Sequence, residues 1–206
     1  MNTSKPHHKY PKPTRRQVLQ AGVTAVAVPT LIGHATAQAT GPTVYVGSQD
    51  NNVYALDAEN GTERWAFETG DTVSSSPTVA DGTVYVGSSD STVYALDAVD
   101  GTERWAFETG GVVFSSPTVV DGTLYVGSFD NNVYALDAED GTRQWTFETG
   151  GSVGSSPTVV DSVVYIGSED NNVYALDAED GTSQWTFGEA ADDVLSLSSV
   201  VDGTLY

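Results

Sequence analysis

A unit of about 40 residues recurs four times along this chain, and a fifth copy begins at its last residues. The clearest marker of the repeat is a segment that returns almost unchanged at Val53–Phe67, Val93–Phe107, Val133–Phe147 and Val173–Phe187. A fixed period of this length is typical of repeat architectures, in which each unit packs on its neighbours. The repeat therefore constrains the fold more strongly than any single residue does.

Each unit carries the pattern of four short strands. In the second unit we predict them at Ser75–Val79, Thr83–Gly87, Thr92–Leu96 and Glu103–Phe107. Asp81-Gly82, between the first two, is a strong signal for a two-residue hairpin, because both turn positions need a positive φ. No helical spacing follows residue 40. These features predict an all-β fold, a β-propeller of four-stranded antiparallel blades, with four blades present and a fifth begun, so that the ring is partial. The predicted units lie near residues 43–82, 83–122, 123–162 and 163–203, within a propeller region of residues 40–206.

The segment Ala55–Trp65 resembles the tryptophan-docking motif, A-x-D-x-x-T-G-x-x-x-W, of the quinoprotein-type (PQQ-like) propeller repeats. It recurs at Ala95–Trp105, Ala135–Trp145 and Ala175–Trp185, with Asn or Asp where that family usually has Thr before Gly. The resemblance covers roughly Pro42 to Tyr206. It implies that each Trp packs between adjacent blades, which suits a large, flat apolar ring in a radial stack. The blade-docking positions that it implies are Asp57, Gly61, Trp65, Asp97, Gly101, Trp105, Asp137, Gly141, Trp145, Asp177, Gly181 and Trp185.

Residues 1–39 differ from the rest and predict an export signal. Met1–Arg16 carries five Lys and Arg with no acidic residue, and a run of apolar and small residues follows. Thr14–Leu19 resembles a twin-arginine signal, and small-residue cleavage sites lie at Ala35–Ala37 and Ala37–Ala39. The alternative is an uncleaved anchor, which would give the protein membrane contact. In either case we expect the propeller to be exported, to the extracellular space or the cell surface.

Beyond the leader the chain is strongly acidic. Its only cations are Arg64, Arg104 and Arg143, against 28 Asp and Glu, which leaves a formal net charge of −25. Such charge opposes compaction at ordinary ionic strength, whereas in molar salt the Debye length shrinks to about 3 Å. We therefore predict a protein from a halophile, with an archaeal source favoured, whose folding needs salt. The same charge argues against binding nucleic acid or anionic lipid.

The composition also limits the chemistry. Beyond residue 39 there is no Cys, His or Lys, so thiol or imidazole nucleophile–base pairs and His/Cys zinc or copper sites are excluded. The quinoprotein dehydrogenases that the chain resembles use PQQ with a calcium ion, an Asp base and often a disulfide between neighbouring cysteines. That disulfide cannot form here, and no carboxylate stands outside the repeat as a candidate base. We therefore predict no catalytic residue and no cofactor.

Three repeated turns supply the only weak candidates for a metal site. Asp50, Asp130 and Asp170 each begin an Asp-Asn-Asn turn, whose oxygens could bind calcium. The alternative is a polar hairpin turn in which side chains bond to the backbone, and the lack of alternating acid spacing favours it. The motif aspartates recur in every unit, which indicates that each organises its own blade, because a single ligand site must break the symmetry of a ring.

Two phenylalanines do break the repeat. Phe114 stands where other units have Ser74 and Gly154, and Phe129 stands where they have Gln49, Ser89 and Glu169. Because Phe129 adjoins a turn, we expect it to be exposed, and an exposed Phe can mark a contact surface. The alternative, an isolated surface apolar residue, is common and is the favoured interpretation.

The repeat decays after Phe187 and restarts at Val200–Tyr206, where it stops inside a second strand. One interpretation is a fragment of a longer gene product. Another is that two chains pair as half-rings into a closed homodimer. In a third, Ser198–Asp202 donates the missing first strand of the first blade.

For function, we predict a secreted, non-catalytic scaffold or binding module with an unidentified protein or surface partner. The envelope-assembly lipoprotein of the same family is the precedent. One alternative is the cofactor-binding part of a PQQ-dependent dehydrogenase whose catalytic residues lie in other blades. A further alternative is a polysaccharide-binding propeller.

Overall fold

The structure is a computed structural model, and it describes residues 41–188, 193–194, 200–201 and 204–205. All of these residues belong to one compact unit, which spans Gln38–Tyr206. The predicted leader, with its twin-arginine motif and cleavage sites, therefore lies outside the described residues. Within the described part, no helix is long and apolar enough to cross a membrane.

The described residues form antiparallel sheets in which consecutive strands are neighbours. The first sheet has three strands, β1 (Thr43–Gly47), β2 (Asn52–Asp57) and β3 (Glu63–Glu68). Three four-stranded sheets follow: β4 (Thr78–Ala80), β5 (Thr83–Gly87), β6 (Thr92–Asp97) and β7 (Glu103–Glu108); β8 (Thr118–Val120), β9 (Thr123–Gly127), β10 (Asn132–Asp137) and β11 (Arg143–Glu148); β12 (Thr158–Val160), β13 (Val163–Gly167), β14 (Val173–Asp177) and β15 (Ser183–Phe187). A last hairpin pairs β16 (Val200–Val201) with β17 (Thr204–Leu205). The predicted all-β propeller of antiparallel blades is confirmed.

The innermost strand of each four-stranded blade is shorter than the sequence pattern predicts. In the second blade it runs over Thr78–Ala80 and not Ser75–Val79. The reason is that the Ser75 hydroxyl bonds both backbone groups of Gly87, each at 2.8 Å, and the Ser76 amide donates to the Ser116 hydroxyl of the next blade at 2.8 Å. Pro77 has no amide hydrogen to give to a ladder. The residues before Thr78 therefore bond to neighbouring elements rather than to the sheet.

The tight hairpin between the first two strands of a blade has the predicted geometry. Asp81 and Gly82 have φ angles of 46° and 73°, as a two-residue turn with two left-handed positions requires. In the fourth blade the same turn is Asp161-Ser162, with φ angles of 50° and 62°. Ser162 thus holds a left-handed conformation at a position where the two preceding blades have glycine.

Replacing Ser162 by glycine is expected to raise the free energy of unfolding by about 0.5–1 kcal/mol. A left-handed conformation costs a residue with a Cβ about 1–2 kcal/mol, and the greater freedom of glycine in the unfolded chain offsets part of this gain. Chemical denaturation followed by circular dichroism in molar salt measures it. The reverse change one blade earlier, Gly122→Ser, is the matched control and should destabilise by a similar amount. Equal stability of both variants and the wild type would contradict the assigned strain.

The core lies between consecutive sheets. One buried cluster joins Val53, Ala55 and Trp65 of the first blade to Val84 and Leu96 of the second, and the next two pairs of blades repeat it. Near the inner strands, the blades are linked by side-chain hydrogen bonds, from the Thr78 hydroxyl to the Pro117 carbonyl at 2.6 Å and from Thr118 to Pro157 at 2.7 Å. Burial is therefore shared between neighbouring repeats, as expected when no single blade can bury its own faces.

Candidate functional site

The motif tryptophans lie at the junctions between blades. The Trp65 indole N–H donates to the Ala98 carbonyl at 3.2 Å, and the Tyr45 hydroxyl donates to the same oxygen at 2.8 Å. The next two junctions repeat the indole bond, from Trp105 to Ala138 at 3.1 Å and from Trp145 to Ala178 at 3.0 Å. Each of these three rings is only 8% exposed. One backbone carbonyl of each following blade is thus clamped by two aromatic side chains.

Each of these tryptophans also covers the motif glycine of the following blade. A Cβ atom on Gly101 would lie 2.7 Å from the Trp65 ring, and one on Gly141 would lie 2.8 Å from Trp105. Gly101 and Gly141 both have φ angles of 75°. Each position therefore requires glycine for two reasons: the turn needs a positive φ, and the tryptophan ring leaves no room for a Cβ atom. The structure brings the Trp of one repeat together with the Gly of the next, a pairing that the motif within one unit does not reveal.

The motif aspartates hold their own turns. The Asp57 carboxylate accepts the amides of Glu59 and Asn60 at 2.9 and 3.1 Å, and Arg64 pairs with it at 2.8 Å. The hydrogen bond from Arg64, followed by that from the Glu59 amide, lowers the pKa of Asp57 from its ordinary value.

Asp97 repeats this ion pair with Arg104 at 2.8 Å. In the third and fourth blades a glutamine, Gln144 or Gln184, takes the place of the arginine, while Asp137 and Asp177 still accept the amides of Glu139 and Glu179 at 2.8 and 2.9 Å. These contacts are those of turn-organising residues, and the described geometry does not join the four aspartates into one acidic ring.

Two of the turn aspartates proposed for calcium, Asp130 and Asp170, link blades instead. One Asp130 oxygen accepts the Tyr134 hydroxyl and the Gly110 amide, each at 2.6 Å, and the other accepts the Asn132 amide at 3.0 Å. Gly110 belongs to the loop that follows the preceding blade, so this carboxylate ties two blades together. Burial alone would raise the pKa of Asp130, but these hydrogen bonds outweigh it and lower the pKa. Burial and the same hydrogen bond raise the pKa of Tyr134.

The same link recurs at neighbouring junctions. Asp170 accepts Tyr174 at 2.6 Å and the Gly150 amide at 2.7 Å, and the pKa of Tyr174 rises to about 12 through burial and this hydrogen bond. Asp90, which the sequence prediction omitted because its turn reads Asp-Ser-Thr, accepts Tyr94 at 2.8 Å and the Gly70 amide at 2.7 Å. The repeat spacing alone would have identified it. Asp50 accepts the Tyr54 hydroxyl at 3.2 Å.

This arrangement favours the polar-turn interpretation over a calcium site. Asp130 and Asp170 use both carboxylate oxygens to accept N–H or O–H groups of the protein. Among the described residues, no three Asp, Glu, His or Cys side chains lie together in a way that could hold a metal ion. The calcium hypothesis therefore has no ligand cluster in this part of the chain.

The charges of the described residues oppose an anionic cofactor such as PQQ, which is a planar anion with several carboxylates. Arg64 and Arg104 are engaged with Asp57 and Asp97, and Arg143 is exposed on β11. A cleft of about 510 Å³ between the third and fourth blades is lined by Asp121, Asp161, Asp177 and Glu179 with no cation. An anionic cofactor would be repelled there.

The two phenylalanines that break the repeat contact each other. Phe114, in the loop between β7 and β8, is 40% exposed, and its ring centroid lies 4.9 Å from that of Phe129, edge to face at 85°. Phe129 is half-buried and not exposed as expected, because its ring also packs on Gly154 of the next blade, where a Cβ atom would lie 3.0 Å from it. Phe114 thus forms the accessible part of an apolar patch, and Phe129 supports it.

Comparison with known proteins agrees with this fold. A family model described as outer membrane protein assembly factor BamB matches residues 12–118 and, a second time, residues 108–206. No curated protein matches the chain.

Several solved structures superpose on it. BamB from Moraxella catarrhalis does so with a TM-score of 0.65 at 23% identity, over 72% of this chain and 50% of its own. The computationally designed protein Ika8 gives a TM-score of 0.71 at 15% identity, over 78% and 50%. The quinohemoprotein alcohol dehydrogenase ADHIIG from Pseudomonas putida HK5 gives 0.68 at 23% identity, over 79% and 36%.

This chain thus spans half or less of the length of each of these structures. At such identities the likeness shows the fold alone. The family assignment rests on the family model, which matches most of the chain, and the tryptophans that clamp each blade to the next agree with it. This chain belongs to the BamB-type family of PQQ-like β-propeller repeat proteins.

Proposed function

We propose that this protein is an exported, non-catalytic propeller that binds a protein partner through the patch formed by Phe114 and Phe129. The observation that carries the proposal is the contact between these two rings, at positions where the other blades have small or polar residues. Residues that recur in every blade stabilise the blades. A binding site for a single partner must occur only once in the ring, and the pair of phenylalanines occurs only once among the described repeats.

The contacts of the repeated carboxylates support a non-catalytic role. The motif aspartates hold turns, and Asp130 and Asp170 hold neighbouring blades. A general base needs a carboxylate within reach of a substrate, but these accept hydrogen bonds from the protein. The description of the matched family as an assembly factor agrees with a scaffold role.

The chemistry of the patch indicates the kind of partner. Phe114 offers an exposed aromatic ring on a chain that carries a net charge of −25 beyond residue 39, from three arginines against 28 acidic residues. Aromatic anchors are enriched at the centre of interfaces, and charge complementarity governs encounter. A protein segment with an apolar anchor and flanking Lys or Arg fits both properties.

Phe114→Ser is expected to weaken partner binding at least about tenfold, because it removes the exposed anchor, with little change in stability. The measurement compares immobilised wild type and variant for retention of proteins from the cell envelope of the source organism, in molar salt. Val99→Ser is the matched control, since Val99 is another exposed apolar residue, at 61%, away from the patch. Phe129→Ser should weaken binding too, but it should also lower the melting temperature, because Phe129 is half-buried.

Equal retention of the same partner by the wild type, Phe114→Ser and Val99→Ser would contradict the proposal. Retention of a polysaccharide in place of a protein would support the polysaccharide alternative. Incubation with PQQ and calcium tests the dehydrogenase alternative, and quinone absorbance that survives dialysis would overturn the non-catalytic assignment.

A further inference from the structure

One exposed turn in the first blade carries an acceptor sequence for N-linked glycans. Asn60-Gly61-Thr62 fits the pattern Asn-x-Ser/Thr, in which x is any residue except proline. Asn2-Thr3-Ser4 also fits, but it lies within the predicted leader, and no other asparagine of the sequence begins this pattern. Asn60 is therefore the single acceptor candidate in the propeller region.

The acceptor position breaks the repeat. The other three blades have an aspartate here, each followed by Gly-Thr: Asp100, Asp140 and Asp180. Each of these carboxylates accepts the amide and the hydroxyl of the threonine two residues later, at 3.0 and 2.8 Å in the second blade. Asn60 accepts the same two groups from Thr62, at 2.9 and 2.7 Å. The turn thus needs one side-chain oxygen at this position, and its hydrogen bonds do not use the amide nitrogen that only Asn60 supplies.

These hydrogen bonds fix which atom of the Asn60 amide is available. A backbone N–H can only donate, so the side-chain atom that accepts the Thr62 amide is the oxygen Oδ1. The nitrogen Nδ2 has no hydrogen-bond partner among the described residues. Asn60, Gly61 and Thr62 are all exposed. The acceptor nitrogen is therefore accessible, while the neighbouring oxygen and the Thr62 hydroxyl are held in place.

The exposure of this side chain follows from its place in the blade. Its equivalents Asp100 and Asp140 are also exposed, although their blades have a described blade on each side. The backbone of the turn is held by Asp57, whose carboxylate accepts the Asn60 amide at 3.1 Å and whose carbonyl accepts the Gly61 amide at 2.8 Å. An enzyme that acts on the folded protein thus meets an exposed asparagine on a turn of defined shape.

We propose that Asn60 is the attachment site of an N-linked glycan. The proposal rests on the export proposed above, because this pattern is an acceptor in surface loops of secreted proteins. The enzyme is a separate glycosyltransferase outside the cytoplasm. The donor is a saccharide whose anomeric carbon is bonded to a lipid phosphate.

The transfer exchanges one bond of the anomeric carbon for another. Nδ2 of Asn60 forms a bond to this carbon, the bond between the carbon and the phosphate oxygen breaks, and the lipid phosphate leaves with the electron pair. One Nδ2 hydrogen departs as a proton to a base of the transferase, so the step needs no oxidant or reductant. An aspartate has no nitrogen to form this bond, which excludes the equivalent turns of the other three blades.

A glycan on Asn60 leaves the Phe114 patch accessible. Phe129, the second residue of the patch, adjoins the turn between β9 and β10, the second and third strands of its blade. Asn60 lies between β2 and β3, which are the third and fourth strands in the pattern of the other blades. Consecutive turns of an antiparallel sheet lie at opposite ends of its strands. The glycan and the proposed partner site therefore lie on opposite faces of the propeller.

The test is the mass of the protein purified from its source organism. Intact-mass spectrometry should show the polypeptide plus one glycan, and electron-transfer fragmentation should place the saccharide on Asn60. Asn60→Asp should remove the added mass and still fold, since the other blades carry aspartate here. Thr62→Ala should also remove it. Thr102→Ala is the matched control, because it removes the same hydroxyl from a turn without an acceptor, and it should keep the added mass.

Moving the acceptor to the next blade tests the turn itself. In the double variant Asn60→Asp/Asp100→Asn, the saccharide should be found at residue 100, because the two turns share their hydrogen bonds and their exposure. An unmodified double variant would overturn the assignment of this turn as the recognised structure.

The location of the protein separates failure of this proposal from failure of the proposed export. Wild type recovered outside the cell with no saccharide on Asn60, or with a saccharide on Ser or Thr only, would overturn the glycan site and leave the export intact. Wild type found only in the cytoplasm would overturn the export, and the glycan site with it.

Discussion

Replacing Trp105 by alanine is expected to lower the free energy of unfolding by about 3–5 kcal/mol, the range for removing a large buried aromatic side chain. The Trp105 ring is 8% exposed, its indole N–H donates to Ala138 at 3.1 Å, and its face covers Gly141. Removing it would leave a cavity between two blades and take one of the two donors from a clamped carbonyl. Chemical denaturation in molar salt measures the change.

Two further variants separate the contributions at this junction. Trp105→Phe keeps an apolar ring but loses the indole N–H, so it should cost about 1–2 kcal/mol. Val99→Ala, at a side chain that is 61% exposed, should change the stability by no more than about 0.5 kcal/mol. If Trp105→Ala were as mild as Val99→Ala, the tryptophan could not be what holds the second blade to the third.

The strands and hairpins of each blade could be predicted because the information is local. Thr83–Gly87 is a strand as predicted, and Asp81-Gly82 forms the turn that its residue types require. The inner strand was misplaced by a few residues because Ser75 and Ser76 bond to Gly87 and Ser116. Residue pattern does not show that a serine hydroxyl will replace a ladder hydrogen bond.

Contacts between blades could be predicted only in part. The resemblance implies that each Trp packs between blades, but its partners, such as Ala98 for Trp65, belong to the next unit and lie 33 residues away. Comparison of repeats with one another shows which positions are equivalent and not which positions meet. The same limit applies to Phe129, whose half-buried state depends on Phe114 in the preceding loop and on a glycine in the following one, Gly154.

The free energy of unfolding is expected to rise by on the order of 5 kcal/mol between 50 mM and 2 M KCl. Two like charges about 10 Å apart in water repel by about 0.4 kcal/mol, and many such neighbours add up on a chain this acidic. The described residues offer little compensation: the ion pairs that they show are Arg64 with Asp57 and Arg104 with Asp97. Because most of the acidic side chains are exposed, salt can screen them.

Neutralising surface carboxylates distinguishes two ways in which salt can stabilise the fold: by screening the repulsion between these charges, or by strengthening the burial of apolar surface. Glu68, Glu108 and Glu148 are exposed at the same position in three blades. Converting all three to glutamine should stabilise the protein at low salt and flatten its salt dependence. The matched control converts three exposed neutral neighbours to serine, Ala66, Ala106 and Thr146, and should leave the slope unchanged. If the free energy of unfolding depends equally on salt in both triple variants, salt acts through burial of apolar surface. Equal stability of the wild type in 50 mM and 2 M KCl would contradict the prediction that folding needs salt. A shallower slope in the glutamine variant alone would instead mean that repulsion among surface carboxylates sets the salt requirement, whatever partner the propeller binds.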